Sequence, residues 1–466
     1  MSLLSECEKS NPDIEIIRNL LRMNPKLDLN RANQYGKTAL MLSIEKNYLS
    51  LVEILLNDNR TNINFKNEFG SSGLSVACLN GRVEIVRMLL ERKVNLNVFD
   101  EEGNNVLMMA LMNDQLLIFE LLIRERKMNV NSFNKNGITP FYHACCFEEK
   151  IRFVRLFLEH KELDLNKADK DGNTPLMKAS RKGCFQIIKL ILNDKRLNLN
   201  LRNKLGETAF FIACELGHLE VVKEFLKYKS VNINKANLVG ITPLMIAIEF
   251  GHFELVQILL QEKKIDLNLK DKEGRTALYI SCSHESLTIV NQLLKMNEID
   301  VNLADKKGMT PLMVSCLIEH DQIVKALLKC DQLDLNLQND EGQTGLTLAC
   351  ITGDIKIVDL LLSDSRMRES LTPLIIATME EDLEIIKYIL ARRKSLHLEE
   401  RVTNGKSVID IAKSNLMKDA VSLFEKYRLN PIKVKHELRL ELGIAGNFFF
   451  FFFLIFFFFF SFFFFF

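Results

Sequence analysis

The sequence has almost no surplus of charge: across 466 residues the formal net charge is +1. A balance this even argues against the strongly basic field of a nucleic-acid-binding domain. The N-terminus, MSLLSECEKSNPDIEI, lacks the charged start and apolar core of a secretory leader. The ten cysteines therefore read as free thiols in a reducing, cytoplasmic compartment. Recognisable chemistry is missing as well. His143, Cys145 and Cys146 lie close in sequence, but positions i, i+2 and i+3 of one helix do not converge on a metal, and no spacing resembles a zinc module. Gly405-Lys406-Ser407 imitates the end of a phosphate-binding loop, yet the earlier glycine falls on Glu400. No nucleophile, base and orienting group stand together. The expectation is a protein with no catalytic site, no metal and no cofactor.

Proline is also scarce, and its placement is informative. Five of the eight prolines occur in Thr-Pro pairs, at 139–140, 174–175, 242–243, 310–311 and 372–373. They punctuate a repeat. Gly36, Gly70, Gly103, Gly137, Gly172, Gly206, Gly240, Gly274, Gly308 and Gly342 stand 33 to 35 residues apart, and an Asn precedes each by six residues, from Asn30 to Asn336. Fixed offsets repeated this often are not a matter of composition. The stretch from Asn234 to Leu260 shows the unit. Gly240 suits a tight turn, Thr242 is a natural helix N-cap, and Pro243 fits the first helical position. Leu244, Ile246, Ala247 and Ile248 crowd one face of a first helix, which Gly251 ends. Leu255, Val256, Ile258, Leu259 and Leu260 form the inner face of a second.

DGNTPL at 171–176, LGHLEVVKEFL at 216–226 and FGHFELVQILL at 250–260 closely resemble the motifs of ankyrin-repeat proteins, in register over roughly residues 10 to 427. The resemblance implies an all-α solenoid of about twelve helix-turn-helix units with projecting β-turn fingers. It departs from the family in two ways. Met177, Met245 and Met313 stand where the family has His, so apolar packing is expected in place of a Thr–His hydrogen bond. The loop after the second helix is one residue longer, as in QEKKIDLN at 261–268, which gives a period of 34 rather than 33.

The organisation expected is capping helices at 1–25, a repeat array at 26–427, a basic linker or frayed helix at 428–447, and a Phe-rich tail at 448–466. The array is irregular at 363–371, where the Asn and Gly anchors are missing and the spacing is short by about six residues. Cys78, Cys145, Cys214, Cys282, Cys316 and Cys350 share one repeat column with Ile44, Leu111, Ser180 and Ile248, which marks a packing position.

Function must then come from surface. The resemblance implies that a partner lies along a concave face made by the turn tips and the ends of the first helices. Most variable positions there hold Lys, Glu, Asp or Asn. Two successive repeats instead offer Leu205, Leu216, Leu238, Val239, Ile241 and Phe250, with Lys170, Arg181 and Lys182 nearby as a basic rim. The opposing possibility is that fingers pack on one another and bury Leu205, Leu238 and Val239. The reading is a monomeric protein-interaction scaffold for a protein or peptide partner. A regulatory part of a larger enzyme or channel assembly is a further alternative.

From Phe448 to Phe466 the chain is Phe apart from Leu454, Ile455 and Ser461. Two readings stand. A run of 19 apolar residues just spans a bilayer, and the basic residues before it would keep the repeats cytoplasmic, giving a tail-anchored adaptor. Alternatively, a T-rich nucleotide stretch read in frame yields Phe, with Leu, Ile and Ser one base change away. If the anchor is real, deleting 448–466 turns a membrane-pelleting protein soluble. A native protein that carries the tail and is already soluble contradicts it.

Overall fold

The computed structural model describes residues 2–368, 370–393, 396–400 and 406–444. The Phe-rich tail, and with it the question of an anchor, lies outside these residues. The chain divides into two compact units, Met1–Leu238 and Val239–Phe466. The expected all-α architecture is what forms. Helices alternate in pairs from Ala39–Glu45 with Leu49–Leu56 to Val408–Ser414 with Lys418–Leu429. Two short helices, Leu3–Cys7 and Ile14–Met23, precede the first pair. Within each unit, the first helix of a pair packs on the first helices before and after it.

The two helices of a pair differ in burial for a geometric reason. The first helix lies between neighbours, so Pro311–Leu317 buries every residue from Pro311 to Cys316. The second keeps one face in solvent, and Phe253–Leu259 buries only Leu255, Val256 and Leu259. The Thr caps behave as their position dictates. Thr174, Thr242 and Thr310 each accept from the backbone N of the Met three residues on, at 3.2–3.3 Å. The Met sulfur returns the contact, accepting from the Thr backbone N at 3.4–3.5 Å. Met177, Met245 and Met313 are fully buried, but they also supply a weak acceptor where apolar packing alone was expected.

In most pairs the turn between the helices takes one left-handed residue. Gly251 takes it at φ +68, whereas Asn47, Asp114, Glu285, Glu319, Glu381 and Leu416 take it at φ +55 to +62. The fingers need it for a different reason. At Gly240, φ +84, a Cβ would stand 2.8 Å from the backbone N of Lys272 in the next finger. Among the described residues there is no strand, only isolated antiparallel bridges at finger bases, such as Ala32–Thr38.

Side chains of most anchor asparagines tie a repeat to the next, and among the described residues Asn64 keeps only the Oδ1 bond, accepting from Asn95 N at 2.8 Å. Asn166 donates Nδ2 to Arg196 O at 2.9 Å and accepts at Oδ1 from Asn198 N at 2.8 Å. Asn198 in turn accepts from the backbone N of the next anchor, Asn200, at 3.1 Å. Asn30, Asn131, Asn200, Asn268, Asn302 and Asn336 repeat the double bond at 2.6–3.0 Å. A second tie recurs at Arg60, Arg196 and Arg366. Each guanidinium is held by an Asp two residues earlier and reaches carbonyls at the end of the preceding repeat's second helix. Those carbonyls have no partner inside their own helix. The Arg partners hold Asp58, Asp194 and Asp364 below the usual carboxylate range.

The irregular repeat retains its backward ties and lacks the forward one. Arg366 and Arg368 are bonded to Asn336, but Ser370 stands where the next anchor Asn would be. Thr372 does not cap. It lies inside its helix, which starts from Leu371 already at φ −79, ψ −20, because no finger feeds the chain in at an extended angle. Where a basic linker or frayed helix was expected, Pro431–Glu441 forms a helix with Val434 and Leu438 buried against the two helices Leu383–Arg392 and Lys418–Leu429. Glu441 pairs with Lys387 at 2.7 Å, and Arg439 donates to Ala391 O at 2.9 Å.

Three outcomes follow for stability. Amides in Leu383–Arg392 should exchange with solvent faster than those in Ile355–Ser363, because the anchor stitch stops at residue 368; equal protection in segment-resolved hydrogen exchange contradicts this. Arg366→Ala should cost about 1–2 kcal/mol in chemical denaturation. The depressed Asp58, Asp194 and Asp364 add stability above their unfolded pKa, and it is lost as pH falls through the lower folded values, so the Arg366→Ala deficit should shrink below about pH 4. Leu416→Gly should raise stability by about 1 kcal/mol, since Leu416 is exposed and strained at φ +59.

Candidate protein-interaction surface

Each finger is closed on itself. In the finger at Gly172, Asp169 donates its N to Asn173 O at 2.9 Å and accepts at Oδ1 from Asp171 N and Asn173 N. Tyr142 reaches into the same finger and donates its hydroxyl to Asp169 Oδ2 at 2.7 Å, as Tyr279 does to Asp305 at 3.0 Å. Neighbouring fingers are then joined through backbone. In the first unit Lys135 N donates to Glu102 O, Lys170 N to Asn136 O, Lys204 N to Asp171 O and Leu238 N to Leu205 O, at 2.9–3.2 Å. In the second unit Lys272 N, Lys306 N and Asp340 N repeat the bond at 2.8–3.0 Å. The backbone polar groups are thus used internally, and the tip side chains project outward.

The six candidate residues fall on both units. Leu205, Leu216 and Leu238, in the first, are 62%, 40% and 52% exposed. In the second, Val239 and Phe250 are 52% and 57% exposed and Ile241 is half-buried. Fingers do pack on one another, but through the Leu238–Leu205 backbone bond and not by covering these side chains. Of the basic rim, Arg181 is engaged by Glu207 and Glu215 at 3.3 and 3.7 Å, while Lys170 and Lys182 remain exposed.

Other exposed apolar residues occupy equivalent places and were not singled out from sequence. Tyr35 and Phe69 directly precede the finger glycines Gly36 and Gly70, in the same column as Leu205. Leu317, Ile351 and Met379 share one position near the end of three successive first helices, two residues before the left-handed residue. Register supplies the signal: these sites have the same offset from the punctuating residue as other surface positions.

The column cysteines Cys78, Cys145, Cys214, Cys282, Cys316 and Cys350 are completely buried. Burial raises every one of these thiols, Cys282 and Cys350 to about 12. Burial and nearby Lys150 hold the His143 imidazole below its ordinary value. His218 occupies the space a Cβ on Gly183 would need, with Nε2 3.4 Å from Arg181 O. Among the described residues no group of three or more His, Cys, Asp or Glu is arranged to hold a metal ion, and no helix is long and apolar enough to cross a membrane.

The family model for ankyrin repeats in three copies matches residues 46–134, 118–203, 195–271, 263–339 and 320–400. An ankyrin repeat protein of Escherichia coli strain K12, YahD, is 28% identical over 179 residues, 38% of this chain and 87% of that protein. The human transient receptor potential cation channel subfamily A member 1 is 26% identical over 182 residues, 38% of this chain but 16% of the channel. An ankyrin repeat protein of fowlpox virus strain NVSL, FPV031, is 31% identical over 184 residues, 38% of this chain and 52% of the viral protein. With matched segments tiling residues 46 to 400 and the helix pairs, fingers and buried column all in register, the chain belongs to the ankyrin-repeat proteins.

Proposed function

We propose that the chain is a non-catalytic, monomeric, cytoplasmic scaffold that binds a protein or peptide on its finger and first-helix surface, the concave side in this family. One observation carries the reading. Leu205, Leu238, Val239 and Phe250 stay half or more exposed at positions where the fold asks nothing of the side chain. The finger backbone is satisfied whichever residues occupy the tips, so these side chains are available for a partner. Burying any of these side chains against a partner contributes roughly 1.5–3 kcal/mol each before association costs. A preformed surface also loses little conformational entropy on binding. Leu216 and Ile241 complete the set, and no nucleic-acid role is assigned.

A second reading is a regulatory segment within a larger assembly. What favours it is the likeness to a human cation channel of which the match spans only 16%.

The test is Leu238→Asp combined with Phe250→Asp, read by crosslinked capture from the native source and by thermal unfolding. Loss of the partner by more than about tenfold with an almost unchanged melting temperature is the expected result. A large fall in melting temperature would make these side chains structural. Unchanged capture with unchanged stability would move the partner elsewhere, with the Leu317, Ile351 and Met379 column next in line.

A further inference from the structure

The residue two before the finger glycine is Lys in three successive repeats of the first unit, Lys135, Lys170 and Lys204, and again at Lys272 and Lys306 in the second. All five are exposed. Their backbone N–H groups form the finger-to-finger bonds, so the same bond that joins the fingers sets the spacing of the lysines. Among the described residues none of these ammonium groups makes an ion pair or side-chain hydrogen bond, although the same surface pairs Arg181 and Arg275 with carboxylates. In the column beside the first three stand Asn136, Asp171 and Leu205, one carboxylate against three cations. Exposed Lys182, at the end of the helix Pro175–Lys182, adds a further positive charge in the middle repeat.

The spacing follows from the hydrogen bonds. Each finger is two chain segments wide and is bonded to the next, so one finger advances about two inter-strand distances, roughly 10 Å. A polyproline II segment rises 3.1 Å per residue with three residues per turn, about 9.3 Å per turn. Side chains at every third residue of such a segment share one face and fall in step with the fingers. Every third phosphate of a nucleic-acid strand spans a similar distance, about 10 Å, so it is the protein-binding reading and not the spacing that favours a polypeptide here.

We propose that the Lys135–Lys170–Lys204 row binds an acidic polypeptide in extended, polyproline II-like conformation, with carboxylates at every third residue pairing one to a finger. This deepens the protein-binding reading and rests on it. It names the partner's charge, conformation and register, and makes the lysine row the element that sets direction while the apolar tips anchor.

The test uses the full chain and a fluorescein-labelled peptide of five Glu-Pro-Ser triplets. A second peptide of the same composition carries its five Glu as a block, and a 15-nucleotide oligothymidylate serves as a polyanion control. In fluorescence anisotropy at low salt, the triplet peptide should bind several-fold more tightly than the block peptide, and binding should weaken with added salt. The triple variant Lys135→Glu, Lys170→Glu, Lys204→Glu should reduce it at least about tenfold. Lys229→Glu, Lys263→Glu and Lys295→Glu, a triple variant of equal charge change away from the tips, should leave it within about twofold. No binding of the triplet peptide, equal binding of both peptides, equal loss in both triple variants, or tighter binding of the oligothymidylate would each overturn the proposal. The peptides contain no apolar side chain able to fill the Leu238 and Phe250 tips. Failure here therefore leaves the apolar surface standing, and failure there leaves the lysine row.

Discussion

The double hydrogen bond from an anchor Asn to the next repeat's loop is the constraint from which the rest of each unit follows. A stack of helix pairs held by apolar contact alone has no fixed register, because dispersion and hydrophobic burial are non-directional. The Asn amide is directional at both ends. Its Nδ2 takes one carbonyl and its Oδ1 takes one N–H two residues further on, as between Asn200 and residues Ser230 and Asn232. One residue of slip breaks both bonds. The Asp or Asn that receives the next repeat also accepts from the following anchor's N–H, as Asn232 does from Asn234. The bonds thus run on from loop to loop, and the lengthened loop that gives a period of 34 is the segment they hold.

Register in the loops sets register at the fingers. Once the loops are fixed, each finger meets its neighbour closely enough that Gly206 has the backbone N of Leu238 at 2.7 Å from where a Cβ would be. Most main-chain groups at the tips are then bonded, and side-chain identity there is released from folding. That release lets successive repeats carry Lys at one place and Leu at another without altering the scaffold. It also explains why this fold supports many unrelated partners: recognition lies in side chains that the fold does not constrain.

Much of this was legible in the sequence because it rests on residues with narrow physical roles. Gly at a left-handed turn, Thr-Pro at a helix start and Asn six residues before Gly all mark position by what other residues cannot do. The Asp or Asn two residues before each anchor, from Asp28 to Asp334, recurs as regularly and was passed over, since its side chain acts only within a stacked loop. The Arg60, Arg196 and Arg366 clamps do not recur in adjacent repeats, so no period reveals them. Thr372 looked like its counterparts, but capping depends on the chain direction before it, which the missing finger changes. Of the candidate residues Leu205, Leu216, Leu238, Val239 and Phe250 are exposed, and others equally exposed carry no separate mark in the sequence. Exposed Leu317 and Met379 stand five residues after buried Leu312 and Leu374, on another face of the same helix, and residue type alone does not separate them.

The most direct measurement is residue-resolved hydrogen exchange at the Asn198 amide, in the unaltered chain and in Asn166→Ala. Among the described residues that amide is bonded only to the Asn166 side chain, at 2.8 Å. The account predicts exchange at Asn198 faster by about tenfold or more in the variant, with faster exchange at the finger amide of Lys204 and little change inside the helix Phe185–Ile191. Unchanged protection at both Asn198 and Lys204 would contradict it, because register would then be held without the asparagine.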